Sequence, residues 1–228
     1  MQTGLFVSTV RDSPTGGTLK PVKPHYGELA FILSIGALQP VGEMLWGAQI
    51  AAYYNVVAAI IVIGYIVFRV ARSGMRLFRD WGLSFDNFWQ CLPPYLLFTF
   101  IAAILLFGYG WTRGNTLPVE FWYVLALYPL WGAAQQFVLQ NFIAENLVHA
   151  VPSLTIRSLI TAALFACAHL PSVELAVLTF IAGFCFTYLY HFYRNLFALG
   201  IAHGILGALV FHLILGQNQW EILVRYFS

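Results

Sequence analysis

The chain has 228 residues, 60% of them hydrophobic and 9% charged, with a formal net charge of +2. Soluble domains carry about a quarter charged residues, so the composition excludes a soluble globular protein and describes a polytopic membrane protein. The small net charge offers no surface to a nucleic acid. Cys91, Cys167 and Cys185 show no CxxC spacing and read as small packing residues, not as a disulfide or zinc framework.

Residues 1–26 are polar, with Gly and Pro clusters and no apolar core of a signal peptide, and are expected to form a tail. Residues 27–118 hold the N-terminal transmembrane helices. The chain is apolar from 28 to 68, about two spans' worth. The break is expected at Gln39-Pro40-Val41-Gly42-Glu43, because Pro and Gly punctuate helices. The first of these two stretches is short and either spans or re-enters. Arg69, Arg72, Arg76 and Arg79 make residues 69–80 the densest basic loop, which marks the cytoplasmic side. A third span follows at 93–109.

A transmembrane core is expected over residues 119–215, with helices at about 119–148, 154–169, 173–193 and 195–215. Residues 216–228 form a short amphipathic tail. The predicted architecture is all-α, a helical transmembrane bundle of about seven spans. With the N-terminus in the cytoplasm, Arg11, Lys20, Lys23, the loop arginines, Arg157 and Arg194 fall inside. Only Arg113 and Arg225 fall outside, as the positive-inside rule requires. The expected location is the plasma membrane of a prokaryote, with membrane lipids as neighbours.

The stretch that organises the core is 131–146, WGAAQQFVLQNFIAEN. Gln135, Gln136, Gln140 and Asn141 sit inside an apolar segment, where an amide without a partner costs on the order of a few kcal/mol. They must face protein or a wet cavity and not lipid. Gln136 and Gln140 are four apart, hence on one face. That face is either the wall of an active site or an interhelical amide clamp. Glu145 falls roughly opposite Gln136 at about 100° per residue, off this face.

The partners expected from other helices are histidines. His203 lies mid-span among Gly200, Gly204 and Gly207, which let another backbone approach closely. His169 closes Phe165-x-x-x-His169 just before Pro171, and taken alone it either caps helix-end carbonyls or sits among headgroups. Glu174, in the next loop, is within reach of His169. His149, His191 and His212 lie near span ends and read as interfacial. At 1.5 Å per residue, Gln136, His169 and His203 stand roughly 18, 22 and 12 Å above the cytoplasmic ends of their helices. Those heights allow one shared layer.

The order of these elements resembles the CAAX-processing and bacteriocin-processing (CPBP, or Abi) family of intramembrane proteases. That family carries a Glu-Glu-x-x-x-Arg helix, then Phe-x-x-x-His, then a helix whose His is followed four residues later by Asn or a similar residue. The corresponding stretches are Gln135-Gln136-Phe137-Val138-Leu139-Gln140, Phe165-Ala166-Cys167-Ala168-His169 and His203-Gly204-Ile205-Leu206-Gly207. The resemblance covers roughly residues 125–211. It implies catalytic roles for Gln135, Gln136, His169 and His203, and substrate contacts at Gln140, Phe165 and Gly207.

The departures bear on mechanism. In the family a glutamate, helped by the histidines, is thought to activate the attacking water. A carboxamide in its place cannot take up a proton. Replacement of the arginine by Gln140 fits the loss of the glutamates, because a buried arginine would then lack a counter-charge. A hydrolytic zinc site wants three good ligands and a base. Two histidines and neutral amides fall short, so no metal and no other cofactor is expected.

Two readings follow. One is an intramembrane endopeptidase, acting on a membrane-associated peptide or protein with a histidine as base. The other is an inactive pseudo-protease that keeps the cavity to bind a membrane peptide, lipid or partner protein. A third, an enzyme of other chemistry on a lipid-like substrate, draws only on the 17% aromatic content.

Overall fold

Long apolar runs leave the chain one economical way to satisfy its backbone, which is the helix. A computed structural model describes residues 25–227; of the expected tail, only His25 and Tyr26 fall within them. Helix α1 (Tyr26–Trp46) and helix α2 (Ala48–Ser73) are followed by a short α3 (Arg76–Asp80) and then α4 (Phe88–Arg113). The core comprises α5 (Phe121–Phe137), α6 (Leu154–Cys167), α7 (Val173–Phe192) and α8 (Leu196–Leu209), and α9 (Gln219–Phe227) ends the chain.

Among the described residues, four segments are long and apolar enough to cross a membrane: Tyr53–Ser73, Phe88–Arg113, Val173–Phe192 and Leu196–Ile214. The protein is an integral membrane protein. The apolar parts Tyr26–Leu38 of α1 and Leu154–Cys167 of α6 are shorter, and α6, at 14 residues, is a short helix.

One expected boundary is corrected. α1 runs straight through 39–43, and the break falls at Gly47, whose φ of 85° is cheap only for glycine. Proline is tolerated inside membrane helices, so the Pro40 signal did not mark an end. The loop expected at 69–80 is likewise mostly helical, with Arg69 and Arg72 closing α2 and Arg76 opening α3.

α8 is the centre of the bundle. It packs along α5 and against α4, while α6 packs against α7. A Cβ at Gly200 would lie 2.6 Å from Ala133 Cβ, and one at Gly204 would strike the Pro129 backbone. These two glycines let α5 and α8 meet backbone to backbone. Asn195 starts α8. Fully buried, it accepts from Ala198 N at 2.9 Å and donates to Ser84 O at 2.7 Å and Asn87 Oδ1 at 2.8 Å. That single side chain ties α8 to the loop before α4.

Two helices end in wider turns. α5 continues as a π-helix over Val138–Ala144, and α8 as a π-helix over Val210–Ile214. The bond from Glu145 N to Gln140 O, 3.0 Å, spans five residues instead of four. The charged groups gather at the end of the bundle where α5 stops. There Arg69 pairs with Glu28 at 2.5 Å, and Arg194 with Glu145 at 2.8 Å. Arg157, buried in the first turn of α6, donates to Val151 O at 3.1 Å.

Candidate active site

The site begins with the amides of α5. Gln136 is fully buried, and its Nε2 lies 2.9 Å from His203 Nδ1 on α8. Gln140, one turn on, is also buried; its Nε2 donates to Gln136 Oε1 at 2.9 Å and to Thr187 Oγ1 of α7 at 3.1 Å. The close contact of α5 with α8 is what permits the first of these bonds. Gly132 on α5 lies so near that a Cβ there would come 3.1 Å from His203 Cβ. Three helices thus share one continuous row of polar groups.

The histidines meet across an aromatic ring. Phe165, buried near the end of α6, stands edge-on to His169 at 4.6 Å and to His203 at 5.8 Å between ring centres. Phe186 stacks on the other side of His203, 5.8 Å away and 18° from parallel. His169, half-buried, donates from Nδ1 to the Phe165 carbonyl at 2.7 Å. That bond fixes the ring and leaves the lone pair on Nε2.

Other expectations resolve less evenly. Gln135 is half-buried beside Gln136, and its side chain has no hydrogen bond among the described residues. Gly207 is half-buried under the Tyr128 ring, and a Cβ there would lie 3.0 Å from Tyr128 Cδ1. A longer residue at 207 would have to move that ring, so the position offers no polar side chain to the site. Glu174 is exposed in the first turn of α7 and makes no bond to His169 among the described residues. His212 is buried, with Nδ1 donating to Ala208 O at 2.9 Å. Of the cysteines, Cys91 is buried but Cys167 is exposed.

Sequence reasoning also missed the second polar shell. The π-turn adds a residue between Gln140 and Glu145, so the two line the same small cavity, about 10 Å³, with Arg157, Thr187 and Tyr190. A strict α-helical period places Glu145 on the wrong face. Arg194, in the turn before α8, donates to Glu145 Oε2, to Asp80 O at 2.7 Å and to Asn141 Oδ1 at 3.2 Å. Burial works against its charge, but Glu145, Tyr190 and Asp80 outweigh that and carry its pKa above the ordinary arginine value. Asn141 and Tyr190 both donate to Trp81 O, at 3.3 and 2.8 Å. No group of three His, Cys, Asp or Glu placed to hold a metal ion occurs among the described residues.

The family described as Rce1-like, type II CAAX prenyl endopeptidase Rce1-like, matches residues 116–209. Those residues form an Rce1-like domain. It runs from just before α5 through α8 and takes in every candidate residue from Gln135 to Gly207. α1 to α4 lie outside the matched part. No curated protein and no solved structure matches the chain. Within the Rce1-like domain, the amides, both histidines and Phe165 lie together, and the charged groups lie one shell away.

Proposed function

We propose that this protein is a CAAX-type intramembrane protease-like hydrolase, cleaving a membrane-associated, prenyl-type peptide with His169 as its base. The observation that carries this reading is the bond from His169 Nδ1 to the Phe165 carbonyl. It leaves Nε2 as a basic nitrogen on a half-buried ring beside Phe165, and neutral imidazole has a suitable pKa for general-base work. Nε2 takes a proton from water as the water oxygen bonds to the peptide carbonyl carbon. The same proton passes to the amine as the C–N bond breaks. Gln135, half-buried with its amide unengaged among the described residues, is a neutral group that could donate to the oxyanion. The concentration of basic residues at the charged end of the bundle supports a cytoplasmic position for it, with the N-terminus on the same side.

A second reading draws support from the site itself. Gln136 and Gln140 are sealed in an amide row without a carboxylate, which suits a pseudo-protease that binds a membrane peptide, lipid or partner protein without cutting.

The deciding experiment uses the full chain in detergent with a panel of membrane and prenylated peptides, and cleavage is read by mass spectrometry. The native protein is expected to cleave slowly, and His169→Ala to lower the rate by roughly 10²- to 10⁴-fold. Cleavage only after Gln135→Glu with Gln136→Glu would establish the binding-only reading. No cleavage by either form would overturn the hydrolase.

A further inference from the structure

The hydrogen bonds of the amide row have a direction. An amide nitrogen donates and cannot accept. Gln140 Nε2 gives one hydrogen to Gln136 Oε1 and the other to Thr187 Oγ1. With its oxygen occupied, Gln136 turns Nε2 towards His203 Nδ1, 2.9 Å away. We infer that Gln136 and Gln140 are positioning residues that hold His203 with Nδ1 unprotonated and Nε2 protonated. This imidazole therefore presents a hydrogen-bond donor, not a base, to the site.

The far end of the row is compatible with this direction. Gln140 Oε1 is buried and has no protein partner among the described residues. It belongs to the cavity of about 10 Å³ that Arg157 also lines, which has room for about one water. With Oε1 facing this cavity, Gln140 Nε2 has an acceptor for each of its two hydrogens, Gln136 Oε1 and Thr187 Oγ1. Glu145, the carboxylate of the same cavity, already accepts from Arg194 at 2.8 Å.

The residue type at 136 then selects the tautomer. A carboxylate there can only accept, so it would require a proton on Nδ1 and would move the lone pair to Nε2. With glutamine, the two histidines become complementary. His169 carries its lone pair on Nε2 because Nδ1 donates to Phe165 O, and His203 carries its proton there. One ring can take a proton while the other donates to an oxyanion. That consequence for hydrolysis rests on the function proposed above; the tautomer does not.

The test is side-chain ¹⁵N NMR of the histidine-labelled full chain in detergent, with the His203 signals assigned by their loss in His203→Gln. In the native protein Nδ1 should resonate in the unprotonated range and Nε2 in the protonated range. Gln136→Glu should exchange the two. Gln140→Leu, which frees Gln136 Oε1 to turn, should give a mixture. A native His203 protonated at Nδ1 overturns the inference, and so does a folded Gln136→Glu protein with unchanged shifts. The native spectrum decides by itself if a variant fails to fold. A protein that cleaves nothing but shows these shifts would sink the hydrolase and leave the tautomer standing.

Discussion

The row formed by Gln136, Gln140 and His203 and the cluster formed by Glu145, Arg194 and Asn141 are both built by residues 136–145 against residues 194–203. They solve burial differently. In the row every partner is neutral, and each amide meets another amide, a hydroxyl or an imidazole. In the cluster a guanidinium meets a carboxylate, a backbone carbonyl and an amide, and its side chain is 13% exposed. Charges need a counter-charge and several hydrogen bonds once buried, so they are held at the end of the bundle. Amides need only geometry, which lets them sit between α5, α7 and α8. The wall of the site is neutral because of where it lies.

Removing one partner from each region should separate the two. The largest effect is expected from Glu145→Ala, which leaves Arg194 without its carboxylate. A loss of roughly 3–5 kcal/mol is expected for a broken buried pair, read by denaturant unfolding in detergent. Gln136→Leu should cost less, about 1–3 kcal/mol, because it strands neutral groups only. If it costs more than Glu145→Ala, the distinction between charged and neutral burial fails here.

Gly204→Val tests whether the row depends on the close approach of α5 and α8. Its side chain meets the Pro129 backbone, and overpacking of this kind costs about 1–3 kcal/mol or more. It should also weaken the bond between Gln136 and His203, seen as a shift of the His203 ¹⁵N signals. Stability lost with those signals unchanged would mean that the row is held by other contacts. The smallest effect belongs to the surface. Arg79 and Asp86 pair at 3.0 Å with side chains 78% and 69% exposed. Asp86→Asn should change stability by less than about 1 kcal/mol, and a larger loss would show that burial is not what sets the value of a charge pair in this protein.

Much of the site was legible because polar residues inside apolar runs are expensive wherever they occur. Gln136, Gln140 and His203 stand out on that ground alone, and the glycines around His203 mark a close helix contact. Glu145 was misplaced for a definite reason: the π-turn over Val138–Ala144 changes the period of the helix, and no residue in that stretch announces it. From the sequence, Arg157 and Arg194 were legible only as charges on the cytoplasmic side. Their burial depends on how α6 and α7 fold back over α5, which no local pattern encodes. Gly207 shows the opposite error, since the ring of Tyr128 covers the position that the family pattern marks for contact.

Composition and hydropathy by themselves determined that the chain is helical and embedded in a membrane, and where most of its core helices begin and end. Those are local consequences of apolar length and of Pro, Gly and capping residues. Which helix is central was not determined that way. Tyr53–Ser73 and Leu196–Ile214 have the same hydropathy, 2.0, yet 0% of one window and 61% of the other are buried inside the bundle. Lipid and protein interior are equally apolar, so hydropathy cannot tell them apart. Only the packing of α8 against α4 and α5 decided it, and with it which nitrogen of His203 faces Gln136, 67 residues away.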